Sequence, residues 1–219
     1  MRLGDIPRRN AFRYPNGIAI ETEAAAVTWS AFNVRINRFA AGLLELGLRK
    51  GDRIAVLGAS SIEVAQTYFA AAKIGAVIVP IPLGLVGREV AFMLDDVGAR
   101  AIVATADMAL RFADAIAAVS SLDYRIAIGD AAGFTEFASV WSGDGGEPSA
   151  SVEEGDLFAI RFTSGTTGLP KGVPSTHGDW LTRSRNFLLH IPHTHEDRAI
   201  LASPISLPRR SRADARSPA

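Results

Sequence analysis

Apolar residues in this chain recur alternately at helical and at strand spacing, with short connections between, and few folds accommodate that order. Phe32, Ile36, Phe39, Leu43 and Leu46 follow at intervals of four and three, the mark of one buried helix face, and Gly47 supplies a stop. Lys50-Gly51-Asp52 reads as a turn and Arg53–Leu57 as a strand. Ser60 and Glu63 have capping-box spacing ahead of a helix carrying Ile62, Ala65, Phe69 and Ala72, which Gly75 ends. Ala76–Val79, Ala101–Ala104, Tyr124–Ile128 and Leu157–Phe162 read as further strands, with helices at Arg88–Val97 and Ala106–Val119 between them. Ser142–Gly155 is so polar and glycine-rich that a flexible surface excursion is expected rather than a domain boundary. The expected fold class is α/β: a layered, largely parallel sheet flanked by helices.

Composition narrows the functions. With 48% hydrophobic and 21% charged residues, the 219-residue chain can bury a core. Basic and acidic residues balance at 23 each, so charge gives no reason to expect a nucleic-acid partner. The absence of cysteine excludes disulfides, thiolate metal sites and a cysteine nucleophile. His193 and His195 lie close together beside Pro192, but no third ligand accompanies them, and a surface loop is the reading. The N-terminus lacks the apolar core of a signal peptide, and the longest apolar stretch, Ile74–Val86, is broken by Pro80 and Pro82. No transmembrane segment and a cytoplasmic location are the expectations.

The string after the last strand carries the chemistry. Thr163-Ser164-Gly165-Thr166-Thr167-Gly168-Leu169-Pro170-Lys171-Gly172 holds four hydroxyls, three glycines and one lysine. Glycines let the backbone approach a ligand, and successive N–H groups then form an anion-binding nest. Hydroxyls add donors and lysine adds a point charge. The lysine stands out, because the chain has three lysines (Lys50, Lys73, Lys171) against twenty arginines. Ordinary turns use the same residue types, and the Walker A spacing is absent. The full ten-residue string behind an alternating strand favours a phosphate loop.

With that string the chain resembles the adenylate-forming superfamily, which includes acyl-CoA synthetases, peptide-synthetase adenylation domains and luciferases. The phosphate-loop signature is matched over Thr163–Gly172, and Thr176-His177 follows it. Upstream, Val27-Thr28-Trp29-Ser30 resembles the family's entry to its first long helix. Leu46–Ala55 is similar to its "LG-x-x-KGD-x-VA" passage and Lys73–Pro80 to its "K-x-GAV-x-VP" passage. The resemblance covers about residues 8–206 and implies activation of a carboxylic acid by ATP and Mg2+ as an acyl-adenylate, followed by thioester formation with CoA. It implies that Thr163, Ser164, Gly165, Thr166, Thr167, Gly168 and Lys171 hold the β- and γ-phosphates. His177 is expected to cap or brace the helix that follows. Within the resemblance, a peptide-synthetase adenylation domain is an alternative, as is a non-catalytic nucleotide-binding or scaffolding remnant.

Other elements of the family pattern do not occur in these residues. There is no aromatic-Gly-x-Thr-Glu string for magnesium and adenine, no later Gly-Asp motif for ribose, and no lid lysine. Leu207 stands where the family's "P-x-x-H" histidine is expected, and Pro208–Ala219 loses hydrophobic periodicity. The expected organisation is a partial AMP-binding domain over residues 1–206 and an irregular basic tail over 207–219, from a reading-frame change or a truncated gene. A catalytically incomplete chain with no catalytic residue and no metal ligand of its own is the corresponding expectation. So is an apolar face left uncovered.

Overall fold

A computed structural model describes residues 1–163, 170–191, 194 and 197–201. The elements in chain order are α1 (Asp5–Arg13), β1 (Ile18–Glu21), β2 (Ala26–Thr28), α2 (Trp29–Glu45), β3 (Arg53–Leu57), α3 (Ile62–Ile74), β4 (Val77–Pro80) and α4 (Gly87–Asp96). There follow β5 (Ala101–Thr105), α5 (Ala106–Arg111), α6 (Ala113–Ala117), β6 (Tyr124–Ile128), β7 (Thr135–Glu136), a 3-10 turn (Phe137–Val140), β8 (Leu157–Thr163), β9 (Lys171–Thr176) and α7 (His177–His190). β1 and β2 form a small hairpin, and the other strands form one sheet in the order β7-β6-β5-β3-β4-β8-β9. Every pairing in that sheet is parallel except β8 with β9. The layered, largely parallel α/β fold expected from the sequence is the one observed.

Side-chain alternation along the central strands divides the core in two. Ile54, Val56, Ile78, Ala101 and Val103 pack beneath α2, α3 and Leu181 of α7, around Phe32, Ile36, Phe39 and Leu43. Ala55, Leu57, Val79, Ile102 and Ala104 point the other way, against Val90, Met93 and Leu94 of α4 and Ile116 of α6. The chain therefore steps from β3 through α3 to β4 on one face, then crosses to β5 through α4 on the other.

Local signals place the ends of these elements. The Thr28 hydroxyl caps α2 by accepting from the Ala31 N–H at 3.3 Å. Gly75 ends α3 in the left-handed region at φ 75°. Gly42 sits where α2 meets the 3-10 turn, and a Cβ there would lie 1.6 Å from the Val140 carbonyl oxygen. No helix among the described residues is long and apolar enough to cross a membrane. Phe187, Leu188, Leu189 and Ile191 at the end of α7 are exposed.

Three local expectations are corrected. The α3 cap is Ser61, whose hydroxyl accepts from the Val64 N–H at 3.1 Å, one residue later than the Ser60–Glu63 spacing suggests. The helix expected over Ala106–Val119 is broken at Phe112, which leaves helical geometry at φ −113°, ψ 18° and is buried in the core below α4. The polar excursion Ser142–Gly155 is tied down rather than free. The Asn37 side chain donates to the Gly145 carbonyl at 2.7 Å, Val152 is buried, and Glu147 is held by the Lys73 ammonium at 2.6 Å.

Candidate functional site

β8 enters the sheet beside β4, where Ala159 pairs with Ile78, and β9 returns antiparallel along its outer edge. The last rung before the intervening loop pairs Thr163 with Lys171. Residues opposite each other in such a ladder project from the same face, with Cβ atoms about 5 Å apart. The hairpin thus brings together Thr163 and Lys171, two of the seven expected phosphate ligands, and leaves both exposed. Lys171 has no ion pair among the described residues. Ser164, Gly165, Thr166, Thr167 and Gly168 lie outside the described residues.

Glycine is needed just beyond the rung. Gly172 faces Phe162, and a Cβ on it would meet the Ile160 Cγ2 at 2.9 Å. One hydroxyl deeper, the Ser175 Oγ donates to the Ala159 carbonyl at 3.2 Å and accepts from the Trp180 indole N–H at 2.9 Å. These bonds seat α7 on the hairpin.

The expected bracing role of His177 is observed, while the cap is Thr176. The Thr176 hydroxyl accepts from the Asp179 N–H at 3.1 Å, and the Asp179 carboxylate accepts from the Thr176 N–H at 2.8 Å, a capping box. His177 itself is fully buried, its ring 5.3 Å from that of Phe158. Its Nδ1 accepts from the Leu3 N–H at 3.4 Å, and its Nε2 has no partner among the described residues. Burial pushes the imidazole below the ordinary histidine range, with Asp156 opposing. A neutral ring wedged between the N-terminus and β8 is a packing element.

Lys73 is the feature that sequence reasoning missed. Its ammonium, on a side chain only 3% exposed, donates to Asn33 Oδ1 at 2.8 Å, Asn37 Oδ1 at 2.6 Å and Glu147 Oε2 at 2.6 Å. Burial would push the Glu147 carboxyl up, but the hydrogen bonds from Lys73 and Asn33 outweigh it and hold that carboxyl below its ordinary value. The cluster clamps α2 and α3 to the segment that leads into β8. A lysine next to a helix C-terminus is the one available signal, and it does not distinguish a buried clamp from a solvated side chain.

Comparisons with known proteins bear on the family and the fold. A family model described as AMP-binding enzyme matches residues 7–207. A feruloyl-CoA synthase of an Amycolatopsis species is 33% identical over 203 residues, covering 93% of this chain and 39% of the relative. The long-chain-fatty-acid–CoA ligase FadD13 of Mycobacterium tuberculosis is 36% identical over 180 residues, covering 82% of this chain and 35% of the relative. A solved fatty acyl CoA synthetase of Mycobacterium tuberculosis superposes with a TM-score of 0.72 at 32% identity, over 80% of this chain and 34% of that one. The chain spans 35–39% of the length of these two curated relatives.

Proposed function

The chain belongs to the AMP-binding enzyme family, and from that premise we propose that its β8–β9 hairpin holds the phosphates of ATP for activation of a carboxylic acid. One observation carries the reading: Thr163 and Lys171 face each other, exposed, on the rung that closes the Gly/Ser/Thr string. In the proposed reaction the acid attacks the α-phosphate and diphosphate leaves; the CoA thiol then attacks the acyl carbonyl of the acyl-adenylate, giving the thioester and releasing AMP and a proton. Lys171 neutralises charge on the β- and γ-phosphates, the hydroxyls of Thr163, Ser164, Thr166 and Thr167 donate to their oxygens, and Gly165 and Gly168 allow close backbone approach.

Magnesium enters this reading as the ion carried by the nucleotide. CoA is favoured as the acceptor because the two curated relatives described above are a CoA synthase and a CoA ligase. The residues present supply the phosphate site without the adenine, ribose and lid motifs. Phosphate binding is therefore the part of the activity proposed for these 219 residues.

Titration calorimetry with MgATP, together with carboxylate-dependent exchange of labelled diphosphate into ATP, tests both parts. Binding that Lys171→Ala weakens, with essentially no exchange, is the expected result. Robust exchange would overturn the assignment of an incomplete site, and binding indifferent to Lys171→Ala would overturn the phosphate role of the hairpin.

A further inference from the structure

Arg161 lies two residues before Thr163 on β8, so the two share a face about 7 Å apart along the strand. That face also carries Lys171, opposite Thr163, and Val173, opposite Arg161. Such a position beneath a packed helix normally suits an apolar side chain or a paired charge. The Arg161 guanidinium has neither arrangement. Its Cζ lies 5.2 Å from the centroid of the Trp180 ring, a cation–π contact. Its Nε is buried without a hydrogen bond, and no carboxylate pairs with it among the described residues.

The neighbours add to the imbalance. Burial draws Arg161 below the ordinary arginine range, and the like charge of Arg183, three residues past Trp180 on α7, draws it further. Tyr68 of α3 is the nearby acidic group, but burial raises its phenol well above the ordinary value and keeps it neutral. Arg183 has the Asp179 carboxylate in its vicinity without a bond to it. Arg161 and Arg183 thus repel each other on the α7 side of the hairpin, and neither has an ion pair among the described residues. An oxyanion arriving there would gain a charge-assisted, planar two-donor contact that the free protein leaves unmade.

We propose that Arg161, in cation–π contact with Trp180 and seconded by Arg183, is a phosphate ligand that extends the Thr163–Lys171 site and grips the terminal diphosphate group of the nucleotide. The proposal rests on the phosphate reading of the hairpin and adds to it residues outside the glycine-rich string. The cation–π contact with the indole limits the rotamers that the guanidinium samples.

The test is calorimetric titration of the whole chain with magnesium diphosphate and with MgATP, alongside thermal melts with and without diphosphate. Arg161→Met keeps the apolar stem and removes the charge; Arg161→Lys keeps the charge and loses the planar fork. Arg183→Gln changes only an exposed side chain. Expected are a tenfold or greater loss of affinity for both ligands in Arg161→Met, a partial loss in Arg161→Lys and a smaller one in Arg183→Gln. The free Arg161→Met protein should melt at or above the parent temperature, because a half-buried charge without a carboxylate partner has gone, yet gain less from diphosphate. A structural arginine would give the opposite: a lower melting temperature in Arg161→Met, with affinity unchanged in Arg183→Gln and Arg161→Lys, and that pattern overturns the proposal. Loss of affinity in Lys171→Ala alone, with all three arginine variants unaffected, overturns it while sparing the hairpin reading. Weakening confined to MgATP overturns the assignment to the terminal phosphates. No diphosphate binding by the parent chain overturns both readings.

Discussion

The Lys73 clamp makes an asymmetric prediction, because its two charged partners differ in exposure: 3% for the Lys73 side chain and 40% for Glu147. Removing Glu147 as Glu147→Ala leaves an ammonium deep in the protein with only the neutral oxygens of Asn33 and Asn37. Breaking a buried pair in this way costs 3–5 kcal/mol as a rule, and the two amides hold the figure near the lower end, about 3 kcal/mol. Removing the cation as Lys73→Met is different. The three bonds to a charged donor are lost, but so is the cost of burying it, and methionine refills the space with apolar stem. Glu147 then turns to water while Asn33 still donates to its Oε1 at 2.8 Å. The net cost is about 1 kcal/mol. For a domain of this size the melting temperature should fall by roughly 6–12 °C in Glu147→Ala and roughly 2–4 °C in Lys73→Met. The double variant should resemble Lys73→Met, since the orphaned charge is gone. Urea denaturation of the four proteins measures the cycle. A Lys73→Met cost equal to or above that of Glu147→Ala would refute the reasoning, showing that the ammonium is hydrated or that its amide bonds outweigh its burial.

Two further outcomes concern packing and acid stability. Gly42→Ala improves helix propensity by about 1 kcal/mol, but its Cβ would sit 1.6 Å from the Val140 carbonyl oxygen and must displace the turn carrying Phe137 and Val140. A net loss of roughly 3 kcal/mol in urea denaturation is expected, and an unchanged or raised midpoint would contradict the close approach. The Asp5 carboxyl is lowered to about 2 from 3.8, chiefly by the Arg2 guanidinium that hydrogen-bonds it, so its stabilisation is complete above the unfolded value and is lost as pH falls through the folded one. After allowance for the half-exposed Arg2, about 1 kcal/mol should disappear between roughly pH 4 and 2. Asp5→Asn should flatten that window in pH-dependent denaturation, and an unchanged slope would show that the pair contributes nothing.

The elements legible in the sequence are those whose burial is periodic. α2 shows its buried stripe because Phe32, Ile36, Phe39 and Leu43 are all fully buried, and the central strands show theirs as short apolar runs. β9 was not legible, because Lys171-Gly172-Val173-Pro174-Ser175-Thr176 lacks alternation and contains the two residues that most argue against a strand. It is extended because it lies at the edge of the sheet and pairs with β8 on one side only. α1 was missed for a related reason: Pro7 is its one buried residue, so there is no apolar stripe to read. The 142–155 segment is loop-like in composition, and its anchoring depends on Lys73, 74 residues from Glu147, a distance that local spacing does not report.

The site was legible in its residue types, and the structure adds a division of labour among the scarce lysines. Lys50 pairs with Asp156 at 2.5 Å, and Lys73 pairs with Glu147 at 2.6 Å. Both partners lie in the stretch that delivers the chain to β8, so two of the three lysines fix the entry to the hairpin. The third, Lys171, stands on the returning strand with no carboxylate partner among the described residues. In a chain that uses arginine for most of its cations, a lysine without a carboxylate tether among the described residues and opposite Thr163 suits the polyphosphate of the proposed function. Its compact charge can follow a leaving group, whereas a planar fork is better suited to hold one orientation. That distinction also separates Lys171 from Arg161, whose guanidinium lies over the Trp180 ring. Exchanging the two side chains, as Lys171→Arg with Arg161→Lys, should therefore preserve the charge count yet weaken diphosphate binding. Affinity equal to the parent's would mean that charge alone, rather than the geometry of each cation, governs the site.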